Sequence, residues 1–461
     1  YAIMPKICQE KIGMGRRRKK NNHKLLLGMI ISASVLFVAV IIFVVILIAG
    51  SGKNNNEEES KAAKRPSESV PVSTEIIATE SQTEEEIVVT SAETKPEEKF
   101  LETPAETEQE STVPLREPQT ISIVAVGDNL IHSQIYESIL RADGTYDFSG
   151  MFDTNLVNEM KSADLTIVNQ ETPACGNALG VSTYPRFNAP TEAIDALVDM
   201  LGADVLTLAT NHACDKGEAG IVGTLDYIHN AHPGVLTTGT YATYEDSVKT
   251  PIIEVKGAKI AVLNYTYGTN GLAVPHDHSV NLLDDKVKMA QDFDRAREEA
   301  DFIIAAVHWG VEYSQQVSAQ QREDAKYLAE LGADLILGAH PHVAQPLELI
   351  VASDGREVPV FYSLGNFLSA QNLYPRTLGE MAKINLYVDE YGKVTMLGFT
   401  CDFTATYYTV SNEFVFGNFK NYMLRDYPIE LEASSGIKMW SPEFSIENYK
   451  NIARSINPNW N

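Results

Sequence analysis

Eight residues suited to holding a metal or moving a proton, Asp128, His132, Glu171, Asn211, His212, His308, His340 and His342, are spread along this chain, and they fall where short apolar runs stop. The densest stretch is Leu335 to His342, Leu-Ile-Leu-Gly-Ala-His-Pro-His. Its three leading apolar residues read as a buried strand end, Gly338 permits a turn, and two imidazoles arrive one residue apart. In extended backbone, residues two apart point the same way, so both rings are expected to face one centre. That arrangement offers two neutral nitrogen ligands to a metal. A lone His-x-His suits an ordinary loop equally well, so the other run ends have to decide.

Those ends follow a regular plan. Ile121 to Val126 stops at Gly127-Asp128, Leu165 to Val168 at Asn169-Gln170-Glu171, and Val205 to Leu208 shortly before Asn211-His212. Ile260 to Asn264, Phe302 to Val307 before His308, Leu335 to Leu337, and Val360 to Tyr362 before Ser363-Leu364-Gly365-Asn366-Phe367 complete the set. Helical periodicity is expected between them at 151–162, 191–201, 218–230, 285–299 and 318–331, giving a strand and helix alternation of the α/β class. In such sheets ligands are held at the carboxyl ends of the strands.

Carboxylates, an amide oxygen and several imidazoles converging there suit Zn, Mn or Fe, and a mixed set of this size has room for two divalent ions. Asn169, Asp215, Glu312 and Asn366, inside or beside the same motifs, are the candidates for binding substrate or supporting the ligands. Taken singly, each residue has a bland role open to it: Asp128 as a cap, Glu171 as a solvated loop acid, His308 as a satisfied interior histidine. No catalytic-serine elbow, Walker loop or zinc-ribbon cysteine pattern competes.

Ahead of this region, Arg-Arg-Arg-Lys-Lys at 16–20 precedes an uncharged run from Leu25 to Ala49. The run is long enough to cross a hydrocarbon core, which needs roughly 20 residues, and too long for the apolar part of a cleaved signal peptide. Positive charge before it and acid after it predict a single-pass membrane protein with residues 1–24 cytoplasmic, a transmembrane helix at 25–49 and the rest outside the cell. Met14, just before the basic cluster, is a candidate start. Residues 50–117 read as an acidic, disordered linker: from 51 onward they carry 17 Glu against 7 Lys or Arg, with no sustained apolar period. Most of the formal charge of −25 nevertheless belongs to residues 118–461. Such an acidic surface argues against nucleic acid as a partner.

Of four cysteines, Cys8 falls on the cytoplasmic side and Cys175, Cys214 and Cys401 outside. Cys175 and Cys214 each lie close to a motif, so a disulfide bracing two site loops is one expectation and buried thiols the other. Near the C-terminus, Ile384 to Val388 and Lys393 to Phe399 read as a hairpin about Glu390-Tyr391-Gly392. The aromatic tail that follows, with Tyr407, Tyr408, Phe414, Phe416, Tyr422 and Trp440, is expected to pack on it, a glycan-stacking surface being the other use for such rings.

The motifs taken together resemble a known family. Gly127-Asp128, Asn169-x-Glu171, Ala209-Thr210-Asn211-His212-x-x-Asp215-x-Gly217, His308-Trp309-Gly310-x-Glu312-Tyr313, Gly338-x-His340-Pro341-His342 with Gln345-Pro346-x-Glu348, and Tyr362 to Phe367 are similar, in order, to the motif series of the CapA proteins of capsule and poly-gamma-glutamate synthesis. That family in turn resembles calcineurin-like metallophosphoesterases. The resemblance implies a two-sheet α/β sandwich flanked by helices with a dinuclear site. Asp128 and His342 would stand at one metal, Asn211, His308 and His340 at the other, Glu171 between them, and His212 would be the acid beside the substrate. Three departures stand out: His132 follows Asp128 by four residues rather than two, Asn169-x-Glu171 replaces a Gly-Asp pair, and Thr210 precedes Asn211 where Asn is usual.

Two functions of different class follow. One is a surface-tethered, metal-dependent hydrolase or transferase acting on a phosphate ester or an anionic surface polymer. The other is a non-catalytic accessory subunit of a membrane polymer synthase or export complex, with the span contacting partner subunits.

Overall fold

The apolar runs become strands covered on both faces, which is why they lack the polar alternation of a half-exposed sheet. Along Phe302–His308, for example, Phe302, Ile304 and Ala306 enter one core while Ile303, Ala305 and Val307 enter another. The structure, a computed structural model, describes residues 116–460. The expected transmembrane helix at 25–49, the cytoplasmic segment and nearly all of the acidic linker lie outside the described residues. No helix among the described residues is long and apolar enough to cross a membrane.

Fourteen strands are present among the described residues: β1 (Gln119–Leu130), β2 (Leu165–Gln170), β3 (Val205–Thr207), β4 (Leu236–Thr238), β5 (Ile252–Val255), β6 (Ala258–Thr266) and β7 (Phe302–His308), then β8 (Leu335–Ala339), β9 (Leu347–Val351), β10 (Glu357–Phe361), β11 (Asn366–Ser369), β12 (Leu378–Val388), β13 (Val394–Val410) and β14 (Phe416–Met423). They form a mixed α/β fold of two sheets. The first has the order β14-β13-β12-β1-β2-β3-β4, with β11 also pairing with β1, and the second β5-β6-β7-β8-β10-β9. β1 to β4 run parallel, as do β6, β7, β8 and β10, so the carboxyl ends of each parallel set lie together. Ile260 and Val262 of β6 and Leu335 and Leu337 of β8 share one core with Ile123, Val126 and Ile167 of the first sheet.

The expected helices form at Thr154–Lys161, Glu192–Met200 (the last turn widened to a π-helix), Gly217–Ala231, Lys286–Glu299 and Ala319–Leu331. The last begins with a reciprocal cap between Ser318 and Gln321 and ends at Gly332, whose φ of 116° suits a residue without Cβ. With Lys286–Glu299 it covers the outer face of the second sheet through Met289, Phe293, Leu328 and Ala329.

The hairpin pairs Val388 with Val394 as expected. Most of the aromatic tail is packing: Tyr407, Tyr408 and Tyr422 are buried, and Phe416 stacks on Trp440 at 5.6 Å between centroids. Phe414 departs from that pattern, being 66% exposed in the turn before β14. An amphipathic helix at Ile446–Ile456, not read from the sequence, closes this end by burying Ile446, Tyr449 and Ala453.

Candidate metal centre

Strand register assembles the site before any side chain is considered. Asp128 of β1 is the cross-strand partner of Asn169 on β2 and of Asn366 on β11, and Asn169 is in turn the partner of Thr207 on β3. In the other sheet His308, the last residue of β7, pairs with Ala339, the last of β8, so His340 follows directly beside it. Two glycines allow backbones to close on this point. A Cβ at Gly127 would meet the Gly365 carbonyl oxygen at 2.0 Å, and one at Gly338 would meet that of Tyr362 at 2.1 Å.

His340 and His342 do reach one centre, with ring centroids 5.9 Å apart, but not by strand alternation. β8 ends at Ala339, and the two histidines adopt left-handed φ values of 99° and 58°. A tight turn about Pro341 aims the rings; its carbonyl accepts from the Tyr313 N–H at 2.7 Å. Such backbone is costly for residues with a Cβ, and its occurrence at two candidate ligands marks the turn as strained for a purpose.

Glu171 lies at the middle of the cluster. Its Oε1 is 3.7 Å from His308 Nε2 and 3.7 Å from His342 Nε2. It belongs to two groups whose donor atoms all lie within 4.8 Å of one another, one with His308 and His340 and one with Asp128 and His342. A third such group joins Glu312 to His340 and His342. Neither carboxylate oxygen of Glu171 has a hydrogen-bond partner among the described residues although the side chain is fully buried, and Nδ1 of His308 and of His340 are equally unpartnered. An uncompensated buried carboxylate costs several kcal/mol, roughly. A buried carboxylate without partners, in a group with two histidines that each keep an unpartnered ring nitrogen, is the kind of donor set that a divalent ion of the Zn, Mn or Fe type takes, so the residues fit the ion.

Charge in the site agrees. Burial pushes the His308 ring well below its ordinary range, and burial together with the neighbouring His342 and His212 lowers His340 to about 3, so both present lone pairs at neutral pH. Burial drives the Glu171 carboxyl up. His342, which burial alone would lower, is raised to about 9 by Glu171 and Asp128. This corner therefore retains a proton that an incoming cation would displace.

Asp128 is more heavily engaged than expected for a simple ligand. It accepts from Asn169 Nδ2 at 2.8 Å, from the His340 N–H at 3.3 Å and from His342 Nδ1 at 3.0 Å. Asn169, held in turn by Thr207 Oγ1 at 2.9 Å, therefore positions Asp128, and Asn366 Oδ1 shares His342 Nδ1 at 3.1 Å. On the other side Asn211 turns its amide oxygen to His308 Nε2, 2.9 Å away, and its nitrogen outward to Asn270 Oδ1 at 3.3 Å. Asn270 had no motif around it to single it out in the sequence.

His212 lines a cleft of 530 Å³ beside the cluster. Its Nδ1 lies 2.7 Å from Asp215 Oδ2, which also accepts the Phe187 N–H at 2.7 Å. Phe187 packs edge-on between His212 and His132, with centroids 4.7 and 5.3 Å away. His132 lines the cleft and is outside the three donor groups. Its Nδ1 lies 3.0 Å from the Leu130 carbonyl, and burial lowers the ring to about 4, which leaves Nε2 as a lone pair. Glu312 and Tyr313 form part of the opposite wall.

The bracing disulfide does not form. Cys175 and Cys214 are free thiols, and Cys175 Sγ lies instead against the Gly220 carbonyl at 3.2 Å and Thr224 Oγ1 at 3.4 Å, on the helix Gly217–Ala231. Cys401 is also free and buried.

The protein-family comparison matches residues 122–371 to the bacterial capsule synthesis protein PGA_cap. The chain is 32% identical over 181 residues to the PGA biosynthesis protein CapA of Bacillus subtilis, covering 39% of this chain and 46% of that protein. It is 28% identical over 275 residues to the capsule biosynthesis protein CapA of Bacillus anthracis, covering 57% and 63%. The chain thus spans about half to three fifths of the length of these curated relatives. Among solved structures, a putative 5'-nucleotidase from Staphylococcus aureus superposes with a TM-score of 0.37 at 15% identity, over 61% of this chain and 54% of that one. The NAD nucleotidase of Haemophilus influenzae gives 0.38 at 13%, over 74% and 60%; superpositions this loose carry no argument. The matched segment, more than half of the chain, contains Asp128, Glu171, Asn211, His308 and both histidines of the strained turn, and the protein belongs to the PGA_cap family of bacterial capsule synthesis proteins.

Proposed function

We propose that the protein is a metal-dependent hydrolase or transferase of the phosphoesterase type, anchored at the cell surface and acting on a phosphate ester or an anionic polymer during capsule synthesis. The observation that carries the reading is Glu171: a fully buried carboxylate, unpartnered at both oxygens, equidistant at 3.7 Å from histidines of two different donor groups. Asn211, His308 and His340 would hold one ion, Asp128 and His342 the other, with Glu171 shared. Bound there, divalent ions would supply Lewis-acid polarisation of a phosphoryl or acyl centre. The chain's own part is acid chemistry and orientation. Asp215 holds Nδ1–H of His212, and when the ring is the imidazolium its Nε2–H is the proton left to hand to a leaving group, after which Nε2 keeps the lone pair. Thr210 Oγ1 donates to the Glu171 carbonyl at 2.7 Å and fixes the approach of that loop.

The test is elemental analysis of the purified full chain together with turnover of bis(p-nitrophenyl) phosphate and of poly-gamma-glutamate. Bound Mn, Fe or Zn that is lost in His340→Ala, with turnover lost alongside, supports the reading. The saturation of both Asp128 oxygens by protein donors favours a second reading, a non-catalytic accessory subunit of a membrane polymer synthase or exporter. Retained metal with no turnover on either substrate selects it. For the membrane anchor, protease added to intact cells should cut between 51 and 117 and release a domain of about 340 residues; full protection of that domain counts against surface exposure.

A further inference from the structure

Arginines in this acidic protein are almost all spoken for. Seven of the ten among the described residues pair with a carboxylate, and Arg116 donates to the Gly257 carbonyl at 2.9 Å. Two remain, one lining the cleft beside His212 and one against a residue of its wall. Arg186 lines it directly, and Arg376 stacks on Tyr313, a cleft residue, with its guanidinium carbon 3.5 Å from the ring centroid.

Arg186 is exposed, yet its loop is fixed at several points. The next residue, Phe187, is buried and donates its N–H to Asp215 Oδ2. Asn188, fully buried, accepts from the Cys175 N–H at 2.8 Å and donates to the Gly176 carbonyl at 2.9 Å. Ser182 and Asn188 exchange backbone hydrogen bonds at 3.0 Å across the loop. A guanidinium is therefore delivered to the mouth of the candidate active site on an ordered support, in a chain where carboxylates outnumber cations and none meets it. Of the two acids of the cleft, Asp215 is held by His212 and Phe187, and neither it nor Glu312 forms an ion pair with Arg186. A planar, always charged fork in that setting is suited to bidentate recognition of a carboxylate or phosphate.

We propose that Arg186, assisted by Arg376 on Tyr313, forms an anion subsite that holds a carboxylate or phosphate of the substrate separate from the group at the metal centre. The substrate then carries at least two negative groups, one at the metal centre and one on the His212 side of it. This rests on the cleft being the substrate site, as in the proposed function. It does not depend on which reaction is run there.

The full chain, with its metal, should be titrated calorimetrically with glutarate as the carboxylate probe and inorganic phosphate as the phosphate probe. Whichever binds more tightly names the group. R186Q should weaken that binding about tenfold or more, R186K should recover part of it, and the double variant R186Q/R376Q should be weaker than R186Q. Metal content and melting temperature should match the parent in R186Q and R186K, because the Arg186 side chain is exposed and outside the three donor groups. A parent that binds neither probe, or an R186Q protein that binds as tightly as the parent, overturns the subsite. A parent that binds an anion through Arg186 yet turns over neither bis(p-nitrophenyl) phosphate nor poly-gamma-glutamate would sink the hydrolase reading alone, so the two failures are distinguishable.

Discussion

His212 Nδ1 and Asp215 Oδ2, both on buried side chains, lie 2.7 Å apart beside the cleft, three residues apart on one turn, and the same oxygen takes the Phe187 N–H. The carboxylate thereby fixes one ring nitrogen and presents the other to the cleft. If the protein turns over a phosphodiester, His212→Ala should lower kcat by about 10² to 10⁴ with metal retained. Asp215→Asn, which keeps the shape but not the charge, should lower kcat by a smaller factor and flatten the pH profile. Undiminished turnover in both variants leaves this pair structural.

Glu171 carries opposite consequences for metal and for stability. Glu171→Gln should remove most bound metal. In metal-free buffer the same variant should melt no lower than the parent, since a buried carboxyl group without a hydrogen-bond partner has been replaced by an amide of the same shape. A large loss of stability in the metal-free variant would show that Glu171 braces the fold rather than serving an ion.

Glu380, far from the cluster in sequence and 1% exposed, has no nitrogen or oxygen donor at either carboxyl oxygen among the described residues, and only the weakly donating Cys401 thiol stands beside it. Burial raises its carboxyl from an ordinary 4.5 to about 8. The folded state thus prefers the protonated form, so this group is neutral to stability below about pH 4.5 and destabilises progressively as pH rises towards 8. The upper bound is about 5 kcal/mol at 1.36 per unit. Urea midpoints of the parent should fall between pH 5 and 9, and those of Glu380→Gln should fall less. Parallel curves for the two proteins would remove Glu380 as the cause.

At Gly338 the Tyr362 carbonyl lies 2.1 Å from where a Cβ would be placed, with Trp309 Nε1 at 2.7 Å. Gly338→Ala should therefore destabilise by about 1–3 kcal/mol or more, because backbone rather than a flexible side chain has to move. It should also lower metal content, since β8 sets where His340 begins. A variant with parental stability and metal would mean that the two strands separate easily.

Cys175, Cys214 and Cys401 are buried free thiols. Burial pushes the Cys214 thiol up to about 11 and raises Cys175 as well. In the native protein they should react slowly with an alkylating reagent, and all three should alkylate after denaturation without reductant. A mass two units lower for the peptide pair carrying Cys175 and Cys214 would restore the disulfide.

The amino-acid sequence was sufficient for the plan of this protein. Apolar runs without polar alternation could only be strands covered on both faces, and periodic segments between them made helices the covering layer, so the α/β alternation was legible from local pattern. Because parallel strands gather their carboxyl ends, Asp128, Glu171, Asn211, His308, His340 and His342 could be grouped from their positions alone. What the tertiary structure decided depends on distances between segments remote in the chain. Only there does Glu171 prove to be fully buried, unpartnered and midway between two histidines, since desolvation is a property of everything packed around a residue. The turn at His340-Pro341-His342 overrode the extended backbone read from the sequence: β8 stops at Ala339, both histidines take left-handed φ, and the Pro341 carbonyl is tied to the Tyr313 N–H, a partner remote in the chain. His132 went to the cleft wall, where Phe187 and the Leu130 carbonyl hold it, and Cys175 turned to the helix Gly217–Ala231 instead of to Cys214. Arg186 carried no signal in its own neighbourhood, because an unpaired cation is recognised only when the acids that the fold brings near it are seen.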